Sequence, residues 1–432
     1  MTTIATPAKP PIKPIKPTFW SKLGPGLITG AADDDPSGIA TYSQVGAQFG
    51  YAIGWTMLFS YPLMVAIQEI SARIGRVTGR GIAANLRIHY PLPLLHAMVV
   101  LLLVANIINL GADLGAMGDA LDLVVGGNYR AVYVVGFAVL CAALQIFSRY
   151  ERYVMILKWS TVVLLAYVAT ALAIDIPWGT VATHVLLPSI TFNSDYLLAI
   201  VAVLGTTISP YMFFWQSSEE AEEERLDPAQ APLIEDGHDA TAQIHRIELD
   251  TYVGMSVSNI IGLFIIITTA ATLHAHGITD IQSSSQAAEA LRPLAGNFAF
   301  LLFALGIVGT GLLAVPVLAG SAAYAVGEAL QWKVGLGRLP HEAKAFYGLI
   351  AAATLIGIVI NFVGLDPIKA LYWSAVINGI VAAPLMVVMM LMTANSKIMG
   401  RFTLPWPLKT VGWIATLVMI VTALALVGSW LI

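Results

Sequence analysis

Apolar residues fill long stretches of this chain, broken by short polar or charged turns. The hydrocarbon core of a bilayer takes about 20 apolar residues per helix. Eleven stretches meet that length. They run roughly from Leu23 to Phe49, Tyr51 to Ile74, Leu92 to Leu121, Ala131 to Phe147, Tyr153 to Ile174 and Tyr196 to Ser217. The later ones run roughly from Thr251 to Leu273, Asn297 to Val326, Ala343 to Val363, Ile368 to Thr393 and Pro407 to Trp430. The pattern predicts an all-α polytopic membrane protein of eleven transmembrane helices.

Basic residues give the pattern a direction, because cytoplasmic loops carry the excess of Lys and Arg. With the N-terminus inside, only Arg130, Arg292 and Lys369 of the 22 Lys and Arg fall at outer ends. The others fall on the inner side, among them Arg73, Arg76, Arg80 and Arg87 after the second stretch. The expected location is therefore the cell's inner (plasma) membrane, with the N-terminus cytoplasmic and the C-terminus outside. Residues 1–22 read as a Pro/Lys-rich cytoplasmic tail ahead of one transporter domain over residues 23–432. No small-residue cleavage site follows a short apolar region, so the tail is not read as a signal peptide. Arg149, Glu151 and Arg152 mark a tight inner turn.

Composition narrows the classes. Hydrophobic residues make up 57% of the 432 and charged residues 11%, against about 25% charged in a soluble domain. That excludes a soluble enzyme, and the near-balanced net charge of −4 with no long basic arm gives nucleic acid no footing. The single cysteine, Cys141, excludes a disulfide framework or a multi-Cys metal centre. No His-Glu-x-x-His, Ser-Lys or paired Asp-Asp constellation for a membrane-embedded enzyme appears across different helices.

Two stretches contain residues foreign to a lipid-exposed helix. The first carries Asp33, Asp34, Asp35, Pro36, Ser37 and Gly38 about ten residues in. A single charge at mid-membrane costs about 2.5–3.5 kcal/mol on insertion scales, and Pro36 removes a backbone donor. Such a segment survives only where it lines a cavity or a site inside protein. The sixth carries Gly205, Thr206, Thr207, Ile208, Ser209 and Pro210 in its middle. Five stretches precede the second break's helix and five begin with it. Interruptions at matching positions of two halves point to an inverted-repeat transporter with a midplane site. Repeat one spans about 23–174, repeat two about 196–393, and an extra helix about 407–430. An anionic gap of this kind selects cations.

These breaks resemble those of the Nramp family of divalent-metal transporters, whose fold is LeuT-like, two inverted five-helix repeats. The run from Asp35 to Thr41, continuing to Phe49-Gly50-Tyr51, looks like the family's Asp-Pro-Gly-Asn signature and its sequel. Gln68 to Gly75 and Val77-Thr78-Gly79 look like its second-helix end, and Ser209-Pro210-Tyr211 takes the place of its Met-Pro-His motif. The resemblance implies that the metal meets the Asp, the Asn, the Met sulfur and a carbonyl three residues before the Met. Carried over, Asp35 keeps the carboxylate and Thr206 supplies the carbonyl, while Gly38 stands for the Asn and Ser209 for the Met. Thioether sulfur favours softer ions, whereas all-oxygen sites suit hard ones. Mg²⁺ dehydrates reluctantly and usually keeps several waters. An oxygen-only, enlarged site is therefore similar to that of the Nramp-related magnesium transporters, a branch of the family. Asp34 joins the expected ligand set. Asp33, Tyr211, Asn378 and Asp113 are expected beside it or along the path, with Tyr42 and Gln44 further candidates for the path.

Proton coupling is not expected. Tyr211 replaces the family's His and does not titrate near pH 7, and Asn109 and Ala116 stand near where third-helix acids would be. A divalent cation moving inward across −100 mV gains about 4.6 kcal/mol, enough for roughly 2,000-fold accumulation. The sequence thus predicts an importer of Mg²⁺, also admitting Mn²⁺, by alternating access and without a proton. The alternative is a proton-coupled Mn²⁺/Fe²⁺ importer of the Nramp type; an amino-acid transporter of the same architecture is disfavoured by the three acids. The metal is cargo, no cofactor is implied, and the bilayer is the only other partner; no obligate protein partner is expected. The acidic run Glu219, Glu220, Glu222, Glu223 and Glu224 reads as either a solvated turn or an anionic exit vestibule. His238, Asp239 and His245 do not share one helical face and are not read as a metal site.

Overall fold

The computed structural model describes residues 25–147, 160–191, 193–227, 230–364 and 366–430. The predicted tail and the Arg149–Arg152 turn lie outside them. Each predicted stretch carries helix. The first is split into Pro25–Asp33 and Pro36–Phe49, and the second is Trp55–Thr78. The third is Leu92–Val125 and the fourth Arg130–Phe147. The fifth enters through a 3-10 turn into Leu165–Ala173. The sixth is again split, into Ser194–Thr207 and Pro210–Leu226. Ala240–Thr272, Ala299–Ala329, Lys344–Ile360, Pro367–Thr393 and Trp406–Ser429 follow as seventh to eleventh. No strand occurs among the described residues.

Length and composition let seven of these cross a bilayer outright. An eighth is the pair Pro36–Ile53 and Trp55–Thr78, bent by 109°. The fifth and ninth, at Val162–Ala173 and Lys344–Ile360, are apolar but shorter. The expected helices are present, while the eleven crossings are not reached by these criteria among the described residues.

Small residues set how the broken spans are held, since in lipid close helix approach depends on them. A Cβ at Gly30 would fall 2.7 Å from the Cα of Gly254, so Pro25–Asp33 lies backbone-to-backbone on the seventh span. The Gly26 N–H donates to Asp250 Oδ2 at 2.7 Å, satisfying a donor at the start of that half-helix. In the sixth span a Cβ at Gly205 would fall 2.8 Å from the Cα of Gly379 on the tenth. The first half-helix thus lies on the seventh span and the sixth break on the tenth, and the first break also reaches the tenth, where Ser37 Oγ donates to Leu371 O at 2.9 Å.

The acidic run corrects the reading of a solvated turn. Glu219, Glu220, Glu222 and Glu224 are buried, and of the five only Glu223 is exposed. Arg76 Nη1 meets Glu224 Oε2 at 2.7 Å, and Arg246 Nη2 meets Glu220 Oε2 at 2.5 Å. The Gly337 N–H donates to Glu222 Oε1 at 2.6 Å, and the Tyr324 hydroxyl donates to Glu219 at 3.1 Å. Glu328 accepts from the Ala84 N–H at 3.0 Å and from Ser218 Oγ at 2.9 Å. Arg73 bridges Glu69 and Glu248, both at 2.7 Å. The second, sixth, seventh and eighth spans are thus latched together at this basic face. A run of five acids reads as solvated only while its cationic partners, far off in sequence, stay out of view. At the opposite face a cavity of about 390 Å³ is lined by Gln44, Gln48, Asp195, Asp280, Lys369 and Trp373, among others.

Candidate metal-ion site

Both breaks obey one local rule. A helical carbonyl accepts from the N–H four residues on, and proline has no N–H. Pro36 therefore strips the donor from the Ala32 carbonyl, and Pro210 strips it from the Thr206 carbonyl. Each proline also opens the next half-helix, where its fixed φ is favourable. Asp35 precedes Pro36 with extended backbone, φ −65° and ψ 168°, and caps Pro36–Phe49. Its Oδ1 accepts from the Gly38 N–H at 2.6 Å. Ser209 precedes Pro210 in the same extended conformation.

Side chains meet the stripped carbonyls. The Tyr211 hydroxyl donates to Ala32 O at 2.9 Å, joining the sixth span to the first. Ser209 Oγ lies 2.9 Å from Thr206 O and 2.6 Å from Gly205 O. One hydroxyl proton cannot serve both carbonyls at once, so carbonyl capacity remains in the sixth break. Gly38 closes the distance between the breaks. A Cβ there would sit 3.1 Å from both Thr206 Oγ1 and Asp33 O, and 3.4 Å from Asp35 Oδ1. Any larger residue at 38 would fill the gap.

Asp35 faces the third span. Its Oδ2 accepts from Asn109 Nδ2 at 3.0 Å and, at a long 3.4 Å, from the Tyr211 hydroxyl. Asn109 Nδ2 also stands 3.4 Å from Asp113 Oδ2, and its carbonyl oxygen accepts from Asn378 Nδ2 at 3.3 Å. Asp113 Oδ1 and Asn378 Oδ1 are buried without a hydrogen-bond partner. Asp33 and Asp34 turn the other way, toward the seventh span. The Ser258 hydroxyl contacts Asp33 Oδ2 and lies 3.1 Å from Asp34 Oδ1. All three aspartates are buried, at 1–2% exposure.

The sequence-predicted residues thus divide. Asp35, Gly38, Thr206, Ser209, Tyr211, Asp113 and Asn378 surround one gap, while Asp33 and Asp34 splay from Asp35 toward Ser258. Among the described residues no three His, Cys, Asp or Glu side chains come together as a ligand set. A cation in the gap would meet one carboxylate, backbone carbonyls, hydroxyls and an amide, all hard oxygen donors. Sequence reasoning missed Ala32, although the proline at i+4 was its signal. It missed Ser258 altogether. It also left Gln68 and Ser71 as motif letters. Gln68 Nε2 donates to Met212 O at 3.1 Å, and Ser71 Oγ bonds Phe213 O, holding the start of Pro210–Leu226 on the second span.

A family profile described as "Natural resistance-associated macrophage protein-like" (Nramp) matches residues 26–429. The chain belongs to the Nramp family. It is 26% identical over 419 residues to the divalent metal cation transporter MntH of Klebsiella pneumoniae (strain 342), covering 95% of this chain and 93% of that one. Among solved structures, the Eremococcus coleocola manganese transporter in complex with an aromatic bis-isothiourea compound superposes with a TM-score of 0.73 at 18% identity. That match covers 96% of this chain and 89% of the other. A nucleobase-cation-symport-1 family transporter, closed with bromovinylhydantoin bound, superposes with a TM-score of 0.58 at 11% identity, over 96% and 94% of the two chains. The fold is LeuT-like. This Nramp chain is a multi-pass membrane transporter of divalent metal ions and not an enzyme.

Proposed function

We propose that this Nramp protein imports Mg²⁺, admitting Mn²⁺, by alternating access driven by the membrane potential and without a coupled proton. The supporting observation is the donor set around the gap. Asp35 brings charge, the Thr206 backbone brings a carbonyl, and Ser209 and Gly38 bring small size in place of sulfur and amide. Asp34, turned toward Ser258, adds negative charge nearby without facing the gap. An oxygen-only donor set suits a hard ion such as Mg²⁺. Tyr211 supports the uncoupled reading, because a phenol donating to Ala32 O is a fixed strut rather than a group that titrates near pH 7. The paired halves would rock about the breaks, with the basic-face latch opening as the opposite face closes.

Asp113 favours a second reading, proton-coupled import of Mn²⁺ or Fe²⁺. Its carboxylate belongs to the same polar network as Asp35 through Asn109, and a second buried acid is where a coupled proton would ride.

Proteoliposome flux decides between them. Vesicles loaded with a Mg²⁺-sensitive dye should report uptake under an inward-negative potential, and a parallel pH dye should stay flat. Acidification in step with uptake establishes the coupled reading instead. Asp35→Ala should abolish uptake; unaltered flux removes Asp35 from the site.

A further inference from the structure

We propose that Asp33, Asp34, Ser258 and Tyr42 form a second divalent-cation subsite, beside the Asp35 gap and facing the seventh span. It rests on the reading of the chain as a Mg²⁺ and Mn²⁺ importer, and adds a second position for the same cargo.

Charge balance is the starting point. Asp33 and Asp34 are buried inside a membrane protein, where an unpaired charge is costly. No ion pair among the described residues involves either of them. Both carboxylates aim at one hydroxyl, Ser258 Oγ. A serine has one proton to give, so the hydroxyl can satisfy only one of the two acceptors. Asp33 Oδ1 is buried with no hydrogen bond.

Tyr42 is an independent sign of an occupant. It is fully buried, and Thr206 is a weak hydrogen-bond partner of its hydroxyl, short of good geometry. A Cβ at Gly262 would fall 2.8 Å from Tyr42 Cε2 and 3.0 Å from Cζ. The hydroxyl end of the ring thus lies on the seventh span one helical turn beyond Ser258, beside Thr206 and within electrostatic reach of Asp33, Asp34 and Asp35. Two carboxylates, a serine hydroxyl and a phenol make a hard oxygen set of formal charge −2. That charge calls for a divalent ion rather than an alkali ion.

Position gives the subsite a role. Asp33 ends the half-helix Pro25–Asp33, which Gly30 and Gly26 fix to the seventh span. The pair therefore lies within two residues of Asp35, close enough for an ion held there to be felt at the gap. Two adjacent divalent ions repel, so occupancy here weakens the hold at Asp35 and speeds release, the logic by which multi-site pores conduct.

Equilibrium Mn²⁺ binding to the purified full chain in detergent tests this, with electron paramagnetic resonance on the bound fraction. The wild type should take up two Mn²⁺ per chain at saturation, and the doubly loaded state should show spin–spin line broadening. Asp34→Asn and Ser258→Ala should each reduce the stoichiometry to one and abolish the broadening. Asp35→Asn should also leave one ion, held at the acid pair. If the wild type binds a single Mn²⁺, or both Asp34→Asn and Ser258→Ala retain two, the subsite does not exist. If Asp35→Asn retains two while Asp34→Asn loses one, the Asp35 assignment fails and the subsite stands. Should Asp34→Asn not yield a monodisperse protein, Ser258→Ala carries the test, since it removes a hydroxyl and no charge.

Discussion

Asn109 holds Asp35 by its amide nitrogen, at 3.0 Å, while its carbonyl oxygen accepts from Asn378 at 3.3 Å. One side chain therefore sets the orientation of the carboxylate and links the first, third and tenth spans. Asn109→Leu should strand Asn378 without a partner and leave Asp35 Oδ2 with only the long Tyr211 contact. Stranding buried polar groups costs about 1–3 kcal/mol each. Thermal unfolding in detergent should show Asn109→Leu and Asn378→Leu each destabilised. The double variant should lose less than their sum, with a coupling of about 0.5–3 kcal/mol. Strict additivity would mean that the two amides do not communicate.

Ser209 occupies the one position where a single change alters the chemical softness of the gap. Its hydroxyl now shares itself between the Gly205 and Thr206 carbonyls. Ser209→Met frees both and adds a thioether. Competition uptake should then favour Mn²⁺ and Cd²⁺ over Mg²⁺ by about tenfold or more, a change of about 1.4 kcal/mol. An unchanged order of ions would remove sulfur loss as the reason for hard-ion preference.

Gly38 tests the room in the gap separately. A side chain there would press on Thr206 Oγ1 and Asp33 O, both 3.1 Å from the Cβ position. Gly38→Asn should lower Mg²⁺ flux more than Mn²⁺ flux, because the ion that keeps its waters needs the space. Equal losses for both ions would indicate general distortion of the break.

What the sequence displayed and what it concealed follow from the range of the interactions. The breaks are local: Asp35-Pro36 and Ser209-Pro210 announce a cap followed by a helix start, and each proline names the carbonyl it strips. The helical stretches are local too, since apolar length needs no partner to be read. The Asp33–Ser258 contact spans 225 positions, and nothing near Ser258 distinguishes it from other hydroxyls in apolar helices. The same holds for Arg76 and Glu224, separated by 148. An acidic run gives no hint that arginines from two other spans bury it.

That burial makes the basic-face latch testable. Arg76→Ala would leave Glu224 buried and unpaired, at a cost of about 3–5 kcal/mol in the latched state. Opening the face hydrates Glu224, so the population should shift toward the open form. A reporter is available at Ser218, which is buried against Glu328. In a Cys141→Ser background, Ser218→Cys should react slowly with a water-soluble maleimide in vesicles, and faster once Arg76→Ala is added. Equal labelling rates would show that the ion pair does not gate access.

Tyr211 offers the sharpest test of proton independence. Its hydroxyl reaches Ala32 O at 2.9 Å and approaches Asp35 Oδ2 at 3.4 Å. With this phenol in place, uptake under a fixed potential should be nearly flat between about pH 6 and 8, since phenols titrate near 10. Tyr211→His installs a group with an unperturbed pKa of about 6.5. Below that pH the imidazolium would stand beside Asp35 and repel an incoming divalent cation; above it the neutral ring would not. Uptake by Tyr211→His should therefore fall as pH drops through this range, while Tyr211→Phe should lose the strut to Ala32 and stay flat. A wild-type profile that already declines over the same interval would point to another titrating group on the ion's path, with Asp113 the first to replace by Asn.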